Sequence, residues 1–363
     1  MPAAAVVVAC TDLDANVAFF QRDVGLRVER VSPADDPSEV EMSGHGVRIL
    51  LRRGAVDRPI LLQLARDGTS VAHAPTTAPN GSRVEHVPRS TEPEVPGAVP
   101  SLSLVRAADG DAGVGRAGMR YRDLLPGRWG GRFIASHITI PGGGEVADWV
   151  HHHLIRFQLI FCAAGWVEVV YEDQGDPFRM EAGDCVLQPP GIRHRVLRAS
   201  PGLEVIEIGC PAVHDTFADH ELELPNGRGD ADRSFGGQRF VRHVAAGASS
   251  SPWLLDGLVA RDTGIAAATG GLATAVVVQA AGNVGARTGR LVHDGEFSMF
   301  VVVAGETGMR VAARTTRLGR GDAVAVPPDT PWSWEDWSDD VEVLVVALPA
   351  AGIRAVDLDR MPR

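Results

Sequence analysis

The residues best suited to chemistry in this sequence lie between positions 151 and 194. His151 and His153 stand two apart in the segment HHHLIRFQLIFCAAG, and His194 follows in the segment GDCVLQPPGIRHRV. On a β-strand, residues two apart point to the same face, so His151 and His153 can share the interior of a barrel. Neutral imidazoles suit a borderline divalent ion, and burying three of them together is costly unless each is hydrogen-bonded. The spacing therefore indicates a metal site.

The two segments resemble, in register, the paired motifs of the cupin superfamily. The first motif is His-x-His-x4-Glu-x6-Gly and the second is Gly-x5-Pro-x-Gly-x2-His, and they correspond to positions 151–165 and 183–194. Gln158 is the one departure, since the family usually has glutamate there. The resemblance implies a jelly-roll barrel in which His151, His153 and His194 are metal ligands and Gln158 takes the fourth ligand position.

The amide at Gln158 affects the expected chemistry. An amide oxygen is a weak, neutral ligand, whereas a carboxylate would neutralise one unit of the metal charge. We therefore expect one divalent transition metal that keeps its full charge, with Fe(II) favoured and Mn, Ni, Cu or Zn as alternatives. Such an ion attracts an anionic bidentate substrate, for example an enolate, a catecholate or an α-keto acid.

These features predict a metal-dependent cupin enzyme. Within the cupins, a three-histidine iron site resembles those of gentisate-type and β-diketone dioxygenases, which implies a non-haem Fe(II) dioxygenase or oxygenase acting on a keto, enol or aromatic acid. Two other classes stay open. One is a non-redox lyase, isomerase or hydrolase in which the metal polarises a carbonyl. The other is a non-catalytic cupin that binds a small molecule.

Four further residues are candidate substrate contacts. The alternation of the barrel strands predicts that Tyr171 and Gln188 share the interior face with the ligands. Arg156 and Arg193 lie in or beside strands near the site, and an inward-pointing arginine would bind a carboxylate well. The sequence assigns no catalytic base.

The same alternation separates other polar residues near the site. His152 lies between two predicted ligands and should face away from them. Glu204 and Glu207 occupy opposite faces of one strand, so only one of them can look inward and act as a base or orient a ligand.

A second stretch, residues 273–349, repeats the pattern of the first barrel. Its segments RLVHDGEFSMFVVVAG and GDAVAVPPDTPW align with the two motifs. The alignment keeps His293 but replaces the other three positions with Leu291, Ser298 and Trp332. We therefore expect a second cupin without a metal, filled by Trp332 and the tryptophans at 334 and 337. A small-ligand pocket is the alternative.

The first 66 residues have a different pattern. A strand at 3–10 and a helix at 13–23 precede alternating runs at 26–31, 39–43, 46–52 and 59–65. This order, with the phrase DLDANVAFFQRDVGLRV, resembles one module of the vicinal oxygen chelate (glyoxalase/bleomycin-resistance) family. The first strand, AAAVVVAC, lacks the ligand that the family places there. We expect a structural or oligomerisation role, with substrate capping as the alternative.

The predicted fold is mainly β, with two tandem cupin jelly-roll barrels and a small N-terminal α+β module of βαβββ order. The predicted boundaries are 1–68 for the N-terminal module, 69–118 for a Pro- and Gly-rich linker, 119–225 for the metal-binding cupin and 226–363 for the second cupin.

The composition limits the partners. The formal net charge is −11, and all 35 basic residues are arginines because the sequence contains no lysine. An acidic chain without basic clusters is a poor candidate for nucleic acid or membrane surfaces, and Schiff-base lysine chemistry is excluded. The four scattered cysteines should be buried free thiols. Because we find no signal peptide and no membrane-length apolar stretch, we expect a cytoplasmic location. We also expect a homodimer or higher homo-oligomer that acts on a small-molecule substrate.

Overall fold

β-Strands make up most of the secondary structure in a computed structural model that describes residues 4–67, 74–89, 92–110, 112–281, 289–311 and 314–356. The chain divides into two units, Met1–Thr91 and Glu92–Arg363. Among the described residues, no helix is both long and apolar enough to cross a membrane. The four cysteines are free and buried, as predicted.

The described part of the N-terminal unit contains one helix and seven strands. They are β1 (Val6–Cys10), α1 (Leu13–Arg22), β2 (Arg27–Ser32), β3 (Glu39–Gly44), β4 (Val47–Arg53), β5 (Leu61–Asp67), β6 (Thr76–Thr77) and β7 (Arg83–Arg89). Asp12 caps α1 by accepting a hydrogen bond from the backbone N–H of Ala15, which satisfies a donor left free by the helix geometry. The strands β1-β4-β3-β2 form one sheet, so the predicted β-α-β-β-β order is confirmed. Its likeness to the vicinal oxygen chelate family stays a prediction.

The N-terminal unit continues beyond its predicted end at residue 68. Strand β5 pairs in parallel with β7 and forms a three-stranded sheet with β6. Val84 of β7 is buried in the hydrophobic core of this unit, which explains why the segment orders as a strand although the sequence around it is rich in proline. Part of the predicted linker 69–118 therefore belongs to this unit, and positions 68–73 lie outside the described residues.

The first barrel consists of two facing sheets. Its elements are β9 (Gly113–Val114), a 3₁₀ turn (Arg116–Gly118), β10 (Arg120–Asp123), α2 (Arg128–Gly131), β11 (Ile134–Ile140), β12 (Gly144–Glu145), β13 (His151–His153), β14 (Phe157–Ala164), β15 (Trp166–Tyr171), β16 (Phe178–Glu181), β17 (Cys185–Leu187), β18 (His194–Ala199), β19 (Leu203–Cys210), β20 (Thr216–Ala218), β21 (Ser234–Phe235), β22 (Gln238–Arg239) and β23 (Val241–His243). The sheet β23-β17-β14-β19-β11-β10-β9 faces the sheet β16-β15-β18-β13-β20. Strands β21 and β22 form a separate hairpin.

The second barrel has the same design. Its elements are β24 (Ser250–Pro252), β25 (Leu258–Asp262), α3 (Ile265–Ala268), β26 (Thr274–Ala280), β27 (Arg290–His293), β28 (Phe297–Ala304), β29 (Glu306–Val311), β30 (Arg314–Gly319), β31 (Ala323–Ala325), β32 (Trp332–Glu335), β33 (Glu342–Leu348) and β34 (Ile353–Val356). The sheet β24-β25-β26-β33-β28-β31 faces the sheet β30-β29-β32-β27-β34. Gly165 and Gly305 occupy equivalent turns with φ of 72° and 63°, a conformation that favours glycine.

The barrels exchange edge strands. Strand β8 (Ser103–Val105) precedes the first barrel in the sequence but pairs with β31 of the second barrel. Strand β23 lies beyond the predicted start of the second cupin at residue 226 but pairs with β17 of the first barrel. These long-range pairings cover sheet edges that would otherwise be open. They place the described residues between about 226 and 243 with the first barrel, unlike the predicted boundary.

The two large sheets also pack against each other face to face. On β14, Phe157, Leu159 and Phe161 contribute to the core between the barrels, whereas Gln158 and Ile160 line the interior of the first barrel. Because both faces of β14 are buried, the strand reads as an apolar run rather than as a clean alternation. The rings of Phe133 and Phe297, one from each barrel, stack with centroids 4.2 Å apart. Because the barrels pack through their outward-facing side chains, the inward-facing side chains can differ between them.

Candidate metal centre

Three histidines meet inside the first barrel. Strands β13 and β18 pair antiparallel with His151 opposite His194, and His153 follows on the same face of β13. The ring centroids lie 4.2 Å apart for His151 and His194, 5.1 Å for His151 and His153, and 5.2 Å for His153 and His194. One nitrogen from each ring lies within 4.8 Å of the other two. The spacing of the histidines thus brings together the three side chains that the motif resemblance implied.

Each imidazole is oriented by a hydrogen bond at Nδ1. His151 Nδ1 donates to the carbonyl of Trp149 at 2.7 Å, and His194 Nδ1 donates to the carbonyl of Ile192 at 3.0 Å. The Nδ1 of His153 lies 2.8 Å from the Thr216 hydroxyl. A ring whose Nδ1 carries the proton presents a lone pair at Nε2, which is the arrangement found in metal-bound histidines.

The Nε2 atom of His151 indicates that the group fits an ion. This atom is buried, and no residue in the described part of the chain forms a hydrogen bond with it. A buried polar atom without a partner is costly, and a bound cation removes that cost. Three imidazoles form the donor set that borderline divalent transition metals accept. The residues therefore fit such an ion, which His151, His153 and His194 would hold.

Burial keeps these imidazoles neutral. Desolvation lowers the pKa of His151, of His153 and of His194 below the usual range of histidine. The positive charge of Arg116 lowers the pKa of His151 further, and the neighbouring imidazoles do the same for His153. Neutral imidazole is the form that binds a metal.

A chain of amides connects His194 to a carboxylate. The Tyr171 hydroxyl donates to Gln188 Oε1 at 2.9 Å, and Gln188 Nε2 lies 3.2 Å from Gln158 Oε1 and 3.0 Å from His194 Nε2. Gln158 Nε2 in turn donates to Glu207 Oε1 at 2.5 Å. Burial raises the pKa of Tyr171, so its hydroxyl stays protonated as the donor that begins this chain. Both ends of the Gln158 amide are thus engaged by the protein.

The three-histidine centre opens into a cavity of about 450 Å³. The polar end of the cavity contains two of the histidines, the amides and Glu207. The apolar part of the wall is formed by Met119, Ile134, Ile138, Ile140, Ile160, Val167, Val169, Met180, Val196, Leu203 and Val205. Tyr171 and Gln188 line this cavity, where the alternation of the strands predicted them.

Arg156 and Arg193, the two predicted carboxylate-binding arginines, do not line the cavity. Arg193 directly precedes His194 on the opposite face of the chain, and its Nε lies 3.1 Å from Asp219 while Nη1 lies 3.8 Å from Glu172. Arg156 precedes β14, and its Nη2 contacts Glu296 of the second barrel at 2.9 Å. Both charges are already paired outside the barrel interior, which corrects the prediction.

The other predictions from alternation agree with the structure. Glu207 faces the cavity, whereas Glu204 faces away and contacts His137 at 3.2 Å and Arg320 at 2.7 Å. His152 also faces away from the centre, and its ring stacks on Phe217 at 5.4 Å. The two-residue period of these strands therefore holds across the site.

Sequence reasoning missed two charged or basic residues of the cavity, Arg116 and His214. Arg116 lies in the segment predicted as a linker, where no motif marks it. His214 lies in the loop between β19 and β20, and its ring centroid is 5.3 Å from that of His153. Neither residue belongs to a motif, so only the fold brings them to the site.

The equivalent place in the second barrel is packed with aromatic rings. Leu291 pairs with Trp332 where the first barrel pairs His151 with His194. The Trp332 ring lies 4.4 Å from Phe300 and 5.5 Å from Trp334. Within the described residues, the three histidines of the first barrel form the only group of three or more potential ligand side chains close enough to share an ion.

Comparisons with known proteins agree with this architecture. A family model described as an AraC-binding-like domain matches residues 211–363. Comparison with curated proteins gives no significant match.

Among solved structures, the chain is similar to a mutant of oxalate decarboxylase from Bacillus subtilis, with a TM-score of 0.51 and 15% identity over 74% of this chain and 83% of that chain. It is also similar to oxalate decarboxylase from Lactobacillus farciminis in complex with formate, with a TM-score of 0.51 and 15% identity over 72% of this chain and 90% of that chain. A structure concerned with the Mn(II) centers of the Bacillus enzyme gives a TM-score of 0.50 and 14% identity over 74% of this chain and 83% of that chain. At this identity the likeness establishes the shared fold of two tandem cupin barrels and does not extend to a reaction.

Proposed function

We propose that this bicupin is a metal-dependent enzyme whose reaction takes place at a mononuclear centre held by His151, His153 and His194. One observation carries the proposal: three imidazoles, two buried and one (His153) partly buried, are each oriented through Nδ1 and meet at a point where the Nε2 of His151 has no partner among the described residues. A centre with neutral ligands would keep the full charge of its ion. It would therefore favour an anionic substrate with two oxygen atoms able to chelate.

A bound metal would act as a Lewis acid that polarises the oxygen atoms of the substrate and, with iron, would support reaction with O₂. Fe(II) is our favoured ion because it matches the proposed oxygenase chemistry. The oxalate decarboxylase of Bacillus subtilis is described with Mn(II) centers, so Mn(II) is the first alternative to compare.

The chain's own residues would bind and orient the substrate. The apolar wall of the cavity would exclude water from the hydrocarbon part of the substrate. The chain of hydrogen bonds from Tyr171 through Gln188 to Gln158 would fix the polar end of the cavity before the substrate arrives.

The reaction class that we favour is an oxygenase, acting on a keto, enol or aromatic acid. One observation also supports a non-redox lyase or isomerase: among the described residues, Glu207 is the sole carboxylate in the cavity wall, and its oxygens could accept or return a proton of the substrate. The two classes differ in their need for oxygen, so they can be separated experimentally.

The proposal is tested first by metal content. Wild-type protein, His153→Ala and the second-barrel control His293→Ala are purified in parallel and analysed for bound metal by mass spectrometry. We expect wild type and His293→Ala to hold one ion for each chain, and His153→Ala to lose it. Equal metal content in His153→Ala and wild type would contradict the assignment.

The reaction class is tested on metal-depleted protein that has been reloaded with Fe(II), Mn(II) or Zn(II). Oxygen uptake is measured with a panel of keto, enol and aromatic acids. Uptake that depends on Fe(II) supports the oxygenase, whereas full turnover with Zn(II) under argon would exclude it and support the non-redox class. A tightly bound metabolite that is not turned over with any of these metals would indicate a binding protein instead.

A further inference from the structure

Arg116 is the single arginine among the described residues that line the cavity. It lies in the 3₁₀ turn Arg116–Gly118, which precedes the short strand β10. Its guanidinium carbon is 5.6 Å from the centre of the Trp149 ring, and 28% of its side chain is exposed. The positive charge acts on all three histidines of the centre, which is consistent with a position at the polar end of the cavity.

Asp148 holds Arg116 by one nitrogen only. The Asp148 side chain is fully buried and accepts hydrogen bonds from the backbone N–H groups of Trp149 and Val196, each at 3.0 Å. Arg116 contacts this fixed carboxylate through Nη1. Its Nε and Nη2 atoms form no hydrogen bond with any described residue. The edge formed by these two nitrogens matches the two oxygens of a carboxylate, and it is the edge that remains available.

We infer that Arg116 binds the carboxylate of the substrate and that the substrate is a monocarboxylate with an apolar body. This inference rests on the proposed function, because it takes the three-histidine centre as the place where a second oxygen group of the same substrate binds. The cavity wall offers one guanidinium, which suits one carboxylate rather than two.

The size and lining of the cavity specify the rest of the substrate. A volume of about 450 Å³ is larger than a two-carbon dianion such as oxalate requires. It falls in the range of about 300–1,000 Å³ that is typical of sites for larger organic ligands. The eleven isoleucine, valine, methionine and leucine side chains of the wall favour an aromatic ring or a branched hydrocarbon chain. A 2-oxo acid with such a body therefore satisfies all three parts of the site.

The test uses matched probes under non-oxidising conditions. Protein loaded with Zn(II) is titrated calorimetrically under argon with phenylpyruvate, with its methyl ester and with oxalate. We expect phenylpyruvate to bind more tightly than either the ester or oxalate. The ester keeps the ring and the ketone but removes the charge, so the difference between acid and ester isolates the carboxylate.

Three substitutions then test whether Arg116 supplies the positive charge that binds the carboxylate. Arg116→Gln should weaken phenylpyruvate binding by about 10- to 100-fold, the range expected for hydrogen bonds to a charged group, and leave binding of the ester unchanged. Arg116→Lys keeps a charge beside Asp148 but loses the two-nitrogen edge, so it should preserve the fold and bind with intermediate affinity. Arg120→Gln removes the same charge from a nearby exposed position and should change nothing.

The outcomes separate this inference from the proposed function. If wild type holds Zn(II) but binds acid and ester alike, or if Arg116→Gln weakens both probes equally in a folded protein, the inference is overturned and the metal centre stands. Equal losses in Arg120→Gln and Arg116→Gln would also overturn it, because they would indicate a general charge effect. If wild type holds no metal, the proposed function itself fails.

Discussion

In the first barrel, His151 lies opposite His194 across an antiparallel pair of strands, and the equivalent pair in the second barrel is Leu291 and Trp332. The two barrels share their strand order and the face through which they pack together. They differ in what their interiors contain. The first has a cavity with a polar end, whereas in the second the indoles of Trp332 and Trp334 pack among buried aliphatic side chains.

This difference shows that the strand arrangement of a barrel and the side chains that fill its interior are specified separately. Backbone hydrogen bonds and the apolar face between the barrels hold the strands in register, whichever side chains point inward. A single histidine, His293, persists in the second barrel, and its Nε2 donates to the carbonyl of Val326 at 2.6 Å. The backbone thus satisfies Nε2 of this imidazole, whereas its buried Nδ1 has no partner among the described residues. One imidazole cannot form the three-ligand set that the first barrel brings together.

The largest expected effect comes from exchanging the residues that distinguish the barrels. His194→Trp copies the second barrel into the first and should abolish metal binding and turnover, because two imidazoles remain where catalytic centres of this kind use three protein ligands. The reciprocal change, Trp332→His, should gain no metal since Leu291 supplies no ligand. Metal analysis of both variants checks this. A metal retained by His194→Trp would contradict the claim that this histidine distinguishes the two barrels.

The next effect is on stability and should be larger in the second barrel. Trp332→Ala removes a fully buried indole and should cost about 3–5 kcal/mol, with no change in metal content. His194→Ala, compared in metal-free protein, should cost less because His194 borders an existing cavity. Urea unfolding followed by far-ultraviolet circular dichroism measures both. Equal losses would show that the first barrel depends on packing at this position as much as the second.

A moderate effect is expected at the position where the first barrel has an amide. Gln158→Glu places a second carboxylate beside Glu207, so it should destabilise the metal-free protein by about 1–3 kcal/mol at neutral pH. The double variant Gln158→Glu/Glu207→Gln restores one amide and one carboxylate and should recover most of the loss. The equivalent Ser298→Ala removes a buried hydroxyl that has no partner among the described residues and should be nearly neutral. Urea unfolding of all three variants at one pH tests the pattern.

The smallest effect is on the pH dependence of stability. Burial lowers the folded pKa of His151, His153 and His194, so the folded metal-free protein binds fewer protons than the unfolded chain below the usual histidine value of about 6.5. The free energy of unfolding of the metal-free protein should therefore be highest above about pH 6.5 and should fall as the pH is lowered below that value. His153→Ala should reduce that slope by at most about 1.4 kcal/mol per pH unit. Urea midpoints between about pH 7.5 and pH 5.5 measure the slopes; identical slopes would contradict neutral, buried imidazoles.

The three histidines were accessible to sequence reasoning because a short spacing relates His151 to His153 and the resemblance to the paired cupin motifs adds His194. A two-residue spacing places His151 and His153 on one face of a strand, and the motif that contains them also specifies the turn before His194. The inward positions of Tyr171 and Gln188 followed from the same period. The two-residue period could not place Arg156 and Arg193. Whether a residue beside a strand faces the cavity or the neighbouring barrel depends on packing between distant segments. Arg156 pairs with a residue of the second barrel, and Arg116 comes from a segment that composition describes as a linker.

The sequence by itself determined the repeated strand pattern, the positions of the three histidines along the chain and the loss of two of them in the second copy, since each is visible within one of the two short motifs that each barrel carries. The tertiary structure decided which charges reach the cavity, which strands cross between barrels and how large the cavity is. Those properties arise from strand pairings and from the packing of two sheets across long stretches of chain. No local spacing encodes them.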